Sequence, residues 1–369
     1  MRVVVTGGGT GGHIYPALAI AKGLLARDPD TKILYIGTRE GMEARLVPEA
    51  GLEFAGISGR GLPRKISLDI LRALGAGLKA MWQAKKLLRQ FHPDLVVGTG
   101  GYVSGPVVLT AAVFGFPTLL HEQNAWPGLT NRILARFVKK IMVSFPENKE
   151  RFGNKKKIVQ VGLPVRPEIG KVSRETGAAH LRLDPDKLTL LVSGGSRGAQ
   201  SINQAMAEVL TRLVDRADIQ VIWSTGTATY RETVESLARR NLAWEKPNWR
   251  ILEYIQDMPE ALACADLFIG RAGAATLAEL MVARLPGLLI PYPHAAENHQ
   301  EYNAGAIVKA GAARMIPDRE LSGERLWLEL ERLIAEPSQL AAMGAAAEAH
   351  AEPRALEKIV DICYSTAWR

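Results

Sequence analysis

The chain has 369 residues, 47% of them hydrophobic and 23% charged, with 35 Gly and 20 Pro; this excludes a disordered, collagen-like or small disulfide-stapled protein and, at roughly 150 residues per domain, points to two domains. The net charge of +8 is unevenly distributed: residues 1–163 carry 23 Lys and Arg against 11 Asp and Glu, a surplus of +12, whereas residues 164–369 carry 23 against 27. Cys264 and Cys363 are far apart and in no Cys-x-x-Cys spacing, so neither a disulfide framework nor a thiolate zinc site is expected, and a reducing cytoplasm fits.

Met1 to Thr6 runs straight into Gly-rich sequence without the long apolar stretch and cleavage site of a secretory signal, so the mature chain is expected to begin here. Arg2–Thr6 reads as a strand, followed by a Gly-rich turn. A helix comes next, with Ile14, Ala17, Leu18, Ala21, Leu24 and Leu25 at helical spacing on the face toward a sheet. Further strands are expected at Lys32–Ile36, Leu95–Gly98, Pro117–Leu120 and Lys140–Val143. Residues 95–120 hold no charge and are long enough to cross a bilayer, but Gly98, Gly100, Gly101, Gly105, Pro106, Gly115 and Pro117 break them into strand, loop, helix and strand. Pro164 and Pro167 stiffen an expected linker over residues 162–171. The pattern then restarts at Leu188–Ser193, Gln220–Ser224, Trp249–Leu252, Asp266–Ile269 and Gly287–Ile290, each followed by a helical period. Such alternation predicts two doubly wound parallel α/β domains. Residues 354–367 are helical in pattern and suited to pack across either domain.

Three Gly-rich loops follow strands, at Gly7–Gly12, Gly194–Gly198 and Gly270–Ala274. Glycine lets the backbone approach a ligand, and the following helix offers unpaired N–H groups with about half a positive charge, which suits phosphates. The first loop matches G-x-G-x-x-G, but no Lys-Ser or Lys-Thr follows Gly12, which excludes a P-loop. The next strand ends in Gly37, Thr38 and Arg39 rather than an acidic residue; this disfavours NAD, while Arg39 leaves room for NADP. His13 at a helix start is expected to stay neutral and able to accept a proton, as a general base must; a structural cap is the alternative. His121-Glu122-Gln123-Asn124 follows a strand, at the edge of an open sheet where ligands bind. His294 and His299 are five residues apart and do not stack on one helical face, which favours ligand hydrogen bonding over a metal. The Asp-Pro-Asp segments at Asp28 and Asp184 precede strands and read as turns.

Between Phe54 and His121 only Asp69 and Asp94 are acidic, against Arg60, Arg64, Lys65, Arg72, Lys79, Lys85, Lys86 and Arg89. That field attracts an anionic partner, whether a membrane surface, a phosphorylated ligand or nucleic acid; a solvated helix face is the alternative. Residues 76–91 mix apolar and basic residues at helical period. Covering a sheet accounts for most of them, whereas an exposed Trp82 or Met81 beside lysines suits docking on anionic lipid.

Taken in order along essentially the whole chain, Gly7-Gly8-Gly9-Thr10-Gly11-Gly12-His13-Ile14, Gly100-Gly101-Tyr102-Val103-Ser104-Gly105-Pro106, His121-Glu122-Gln123-Asn124, Gly194-Gly195-Ser196-Arg197-Gly198-Ala199, Arg271-Ala272-Gly273-Ala274 to Glu279, and Asn298-His299-Gln300 closely resemble a peptidoglycan glycosyltransferase family. Its members add N-acetylglucosamine to undecaprenyl-diphospho-muramoyl-pentapeptide, converting lipid I to lipid II. The resemblance implies the GT-B architecture, two Rossmann-like doubly wound parallel-sheet domains facing across a cleft. Residues 1–163 would form the acceptor- and membrane-facing domain, residues 164–353 the UDP-sugar domain, and residues 354–369 a terminal helix packing back on the first. It implies no cofactor and no metal. The implied partners are UDP-N-acetylglucosamine, lipid I and the anionic cytoplasmic membrane surface, with no nucleic acid, and the implied location is peripheral, on the cytoplasmic face of the bacterial inner membrane.

By matching position, donor binding falls to Thr10, Gly11, Gly12, Asn124, Arg166, Ser196, Ile255, Ala274, Ala275, Thr276, Leu277, Ala278, Glu279 and Gln300. Helix starts and Ser196 would take the diphosphate, Glu279 both ribose hydroxyls, and the Ile255 backbone the uracil. Arg197 stands where the family usually has Gln, and Ala272 where Ser is common, which leaves the diphosphate contacts open. The implied reaction is inverting, with His13 the first candidate base and Glu122 the second. A UDP-N-acetylglucosamine 2-epimerase-like enzyme on the same architecture and a non-catalytic nucleotide- or membrane-binding module are the alternatives.

Overall fold

The computed structural model describes residues 1–59 and 69–368, the side chains of residues 69–74 excepted. Arg60, Arg64 and Lys65 of the basic stretch therefore lie outside the described residues, as do the side chains of Asp69, Arg72 and Leu74. The chain divides into two compact units, one formed by Met1–Pro164 with Pro353–Arg369, the other by Val165–Glu352.

The first unit contains β1 (Arg2–Thr6), β2 (Lys32–Thr38), β3 (Glu53–Ile57), β4 (Leu95–Gly98), β5 (Thr118–Glu122), β6 (Lys140–Val143) and β7 (Ile158–Gln160). All pair in parallel, in the order β3-β2-β1-β4-β5-β6-β7. Its crossover helices are α1 (Gly11–Arg27), α2 (Glu43–Glu49), α3 (Asp69–Phe91), α4 (Ser104–Val113) and α5 (Leu129–Leu134). Helices on both faces explain why the central strands are apolar throughout rather than alternating: Val3, Val4 and Val5 are all fully buried. Val3 and Val5 pack with Ile14, Ala17 and Leu24 of α1, and Val4 with Ala84 of α3, Val107 of α4 and Leu134 of α5.

The second unit repeats the plan with β8 (Leu188–Ser193), β9 (Ile219–Ser224), β10 (Trp249–Leu252), β11 (Leu267–Gly270), β12 (Gly287–Leu289) and β13 (Ala313–Met315) in the order β10-β9-β8-β11-β12-β13. The helices are α6 (Arg174–Leu181), α7 (Gln200–Leu213), α8 (Tyr230–Arg239), α9 (Met258–Cys264), α10 (Ala274–Val282), α11 (His299–Lys309), α12 (Gly323–Ala335) and α13 (Pro337–Ala349). Its largest core runs from Leu190 and Val192 through Ile202, Met206 and Leu210 of α7 to Leu326, Leu330 and Leu333 of α12.

The chain then returns to the first unit as α14 (Ala355–Ala367). Ile359, Val360 and Cys363 of α14 join the cluster of Val3, Ile14 and Leu24. A side chain at Gly23 of α1 would come within 2.8 Å of Leu356, so glycine sets how closely the two helices approach. In each sheet the strand order reverses between the first and fourth strands, the crevice where open α/β sheets bind ligands.

Candidate functional site

At the switch point of the first unit, the loop after β1 and the loop after β4 cross in direct contact. Gly101 has φ +82°, and a Cβ there would lie 2.1 Å from the Gly8 carbonyl oxygen; one at Gly7 would lie 2.0 Å from Thr99 Oγ1. These glycines are required because each loop occupies the space a side chain on the other would need. Thr99 Oγ1 donates to the His13 carbonyl at 2.7 Å, which ties the first turn of α1 to the end of β4. The His13 ring rests on the backbone of Gly100, where a Cβ would be 2.9 Å from Nδ1.

His13 Nδ1 lies 3.0 Å from the Thr99 carbonyl oxygen and 3.1 Å from Gln123 Oε1. Both partners only accept, so Nδ1 carries the hydrogen and Nε2 keeps its lone pair. Burial lowers the pKa of the imidazole, against the opposing hydrogen bonds of Gln123 and Thr99. The ring is therefore neutral at physiological pH, with a free basic nitrogen. Thr10 and Gly12 are exposed and Gly11 half-buried. Thr10 makes no side-chain cap on α1, whose first turn holds no acidic residue.

Glu122 is buried at the end of β5. Oε1 accepts from Asn124 N (3.0 Å) and Asn124 Nδ2 (3.4 Å), and Oε2 accepts from Gly128 N (3.2 Å) and Asn131 Nδ2 (2.8 Å). Burial pushes its carboxyl above the usual carboxylate range, and these four donors pull the other way. The carboxylate thereby shapes residues 124–131. Asn124 is held at its other end by Asn148 Nδ2, which donates to the Asn124 carbonyl at 2.8 Å.

In the second unit, the loop after β8 turns back against residues 225–229: a Cβ at Gly198 (φ +85°) would be 2.1 Å from the Thr225 carbonyl oxygen. Ser196 and Arg197 are exposed on this loop, and the Ser196 carbonyl accepts from Thr227 N at 3.1 Å. The helices that follow the two Gly-rich loops, α7 and α10, start at Ala199 and Gly273 without a side-chain cap and without an acidic residue in the first turn. In α6 and α12, by contrast, Ser173 and Ser322 cap the free N–H groups. The starts of α7 and α10 follow β8 and β11, the two strands that flank the switch point, where an uncapped helix end favours an anion.

Glu279 sits in the second turn of α10 with Arg166 Nε 3.6 Å from its Oε1. Burial raises the Glu279 pKa, and the Arg166 charge opposes the rise. Of the other residues marked in the sequence, Ala274, Thr276 and Ala278 are half-buried and Ala275 is exposed. Leu277 and Ile255 are in the core, which leaves no side-chain surface of either for a ligand. Gln300 Oε1 accepts from Tyr292 N at 2.9 Å.

The sequence placed Gln123 in a polar cluster at the ligand-binding edge without a role of its own, and marked neither Thr99 nor the anchoring side chain of Arg271. Arg271 donates to the Ile290 and Pro291 carbonyls, to Asp318 Oδ1 at 2.5 Å and to Ser201 Oγ at 3.1 Å, pinning the β11–α10 loop. Ala272 beside it is fully buried. His299 Nδ1 donates to the Ala296 carbonyl, and His294 packs edge-on against Tyr292. Among the described residues no group of three or more His, Cys, Asp or Glu is placed to hold a metal ion.

A third feature lies on α3 and α4 of the first unit. Leu78, Trp82, Val113 and Phe114 are exposed, with Trp82 at 66%. Lys85 Nζ is 4.6 Å above the Phe114 ring, and Arg89 is at 5.6 Å. Phe116 instead packs into the core. Among the described residues no helix is long and apolar enough to cross a membrane.

The glycosyltransferase family 28 N-terminal domain model matches residues 3–143, and the C-terminal domain model residues 189–359. The chain is 66% identical over 369 residues, 100% of both chains, to a protein of Desulfitobacterium hafniense named UDP-N-acetylglucosamine--N-acetylmuramyl-(pentapeptide) pyrophosphoryl-undecaprenol N-acetylglucosamine transferase. It is 48% identical to a protein of the same name from Desulforamulus reducens, over 98% of this chain and 97% of that one. Among solved structures, Acinetobacter baumannii MurG superposes with a TM-score of 0.79 at 30% identity, covering 99% of each chain.

Proposed function

The chain belongs to glycosyltransferase family 28, and from that premise we propose that it moves N-acetylglucosamine from UDP-N-acetylglucosamine to the 4-hydroxyl of the muramoyl sugar of lipid I, giving lipid II. The observation that carries this reading is the 66% identity over full length to a relative bearing the name of that transferase. It favours transfer over epimerisation on the same architecture. Two uncapped helix starts and a half-buried carboxylate in the second unit support it: the helix N–H groups can donate to a diphosphate, and the carboxylate can accept from ribose hydroxyls.

In this reading the reaction is one inverting displacement. The acceptor 4-oxygen bonds to the anomeric carbon from the face opposite UDP, the bond from that carbon to the β-phosphate oxygen breaks, and UDP leaves with the electron pair. The acceptor proton passes to His13 Nε2, the nitrogen left free by the hydrogen bonds at Nδ1. Ser196 and the starts of α7 and α10 stabilise the charge on the departing diphosphate. Glu279 accepts the ribose hydroxyls, and the Ile255 backbone pairs with uracil. Glu122 holds Asn124 and the loop to residue 131 in place.

Labelled UDP-N-acetylglucosamine with a lipid I analogue is expected to give the labelled disaccharide lipid. Formation of UDP-N-acetylmannosamine from donor alone would assign an epimerase instead. Vesicle binding without any thermal shift on adding the sugar nucleotide would assign a non-catalytic module.

The lipid acceptor places the reaction at the cytoplasmic face of the cell membrane, and the exposed apolar residues of α3 and α4 among lysines suit an anionic leaflet. Neutralising Lys79, Lys85 and Lys86 together is expected to weaken binding to vesicles containing anionic lipid by about a hundredfold, at ~1 kcal/mol per charge. Vesicle sedimentation at two salt concentrations checks this; affinity indifferent to both salt and the substitutions would dismiss the surface.

A further inference from the structure

We propose that Gln123, backed by His121 and acting together with the Thr99 carbonyl, is the positioning residue that fixes which nitrogen of His13 carries the proton; this rests on the reading of His13 as the base. Gln123 Nε2 lies 3.0 Å from the His121 carbonyl oxygen and 3.0 Å from His121 Nδ1. His121 Nε2 in turn lies 3.0 Å from the Gly162 carbonyl oxygen. Carbonyl oxygens only accept, so every direction in the chain is forced. His121 donates from Nε2 to Gly162, leaving Nδ1 as a lone pair that accepts from the Gln123 amide. The same amide donates to the His121 carbonyl, and its oxygen is thereby turned toward His13 Nδ1.

Flipping the amide would set its oxygen against the His121 carbonyl and the His121 lone pair, and its NH2 against the His13 N–H. All three bonds would be lost together in a buried site, where unpaired polar groups are costly. Gln123 and His121 are 1% and 0% exposed, so water cannot substitute for them. Burial pushes His121 down to about 4, which keeps it uncharged at the pH of catalysis and the relay unaltered.

The groups facing the His13 imidazole are the Thr99 carbonyl at the end of β4, the Gly100 backbone and Gln123. The carboxylates of the neighbouring elements bond elsewhere: Glu122 to residues 124–131, and Glu43 of α2 to Thr38 and the Gly9 N–H. Among the described residues no charged side chain takes the place that an aspartate occupies behind the histidine of a serine-protease triad. A neutral amide sets the tautomer here, and its hydrogen bond only partly offsets the lowering of the ring's pKa by burial.

The test is 15N spectroscopy of the full chain labelled at histidine, with the His13 signals identified by their loss in His13→Gln. Wild type is expected to show a protonated Nδ1 and a bare Nε2; the opposite tautomer would overturn the proposal without any variant. In Gln123→Leu the proton is expected to spread onto Nε2 and kcat to fall about tenfold or more, with donor KM within about twofold. A Gln123→Leu enzyme with wild-type tautomer and wild-type kcat would refute the role. A shifted tautomer in Gln123→Leu together with full turnover in His13→Ala would uphold the relay and reject His13 as the base.

Discussion

Replacing His13 with alanine is expected to lower kcat on a lipid I analogue by about 10²–10⁴-fold while leaving the KM for UDP-N-acetylglucosamine nearly unchanged. The size follows from general-base catalysis: without the imidazole the acceptor hydroxyl must lose its proton to water, whereas the donor-binding groups, Ser196, Ile255 and Glu279 among them, keep their side chains and backbone. The pH dependence has a definite sign. His13 acts only when unprotonated, and burial lowers its pKa below the ordinary histidine value. The acid limb of kcat therefore lies below that value, and the rate stays flat through neutrality. Full turnover in the alanine variant, or an acid limb above the ordinary histidine range, would remove His13 from the chemistry.

Substituting Glu279 with alanine is expected to weaken UDP binding by at least about a hundredfold and to raise donor KM in parallel, with kcat at saturating donor little changed. A hydrogen bond to a charged group contributes about 1.5–3 kcal/mol, and two ribose hydroxyls share this carboxylate in the proposed complex. The substitution also leaves Arg166 without the carboxylate that lies 3.6 Å from it, but Arg166 is 43% exposed and water can solvate it. Glu279→Gln keeps one acceptor oxygen and should fall between wild type and alanine. Calorimetric titration with UDP measures the effect directly; an unchanged affinity in Glu279→Ala would show that the ribose is held elsewhere.

The central strands were legible because burial on both faces demands unbroken apolar runs. Val3–Val5 and Leu190–Val192 show the physical requirement in their composition. The edge strands β3, β7 and β13 were not expected. Each is three to five residues long and half-buried, and Glu53, Gln160 and Arg314 dilute the apolar signal.

The Gly-rich loops could be read because close backbone approach leaves a residue type as its trace. Thr99 and Gln123 could not be read in the same way. Their roles arise only because β4 and β5 end side by side, bringing Thr99 and Gln123 to His13 across 86 and 110 residues of chain. Glu122 stood out as a carboxyl among polar neighbours, but the hydrogen bonds that hold it to residues 124–131 depend on a loop path that residue types do not encode. Glu279 and Arg166 lie more than a hundred residues apart, and the fold of the second unit makes them a pair.

The return of α14 to the first unit has a consequence for biosynthesis. Met1–Pro164 leaves the ribosome first but lacks the apolar cover that Ile359, Val360 and Cys363 supply to α1. Burying side chains of this size contributes about 1.5–3 kcal/mol each. The leading part of the nascent chain therefore has to wait, with the Gly23 face of its first helix uncovered, while the whole intervening unit is translated. Until Ala355–Ala367 emerges, that face is the exposed surface a holdase chaperone would find.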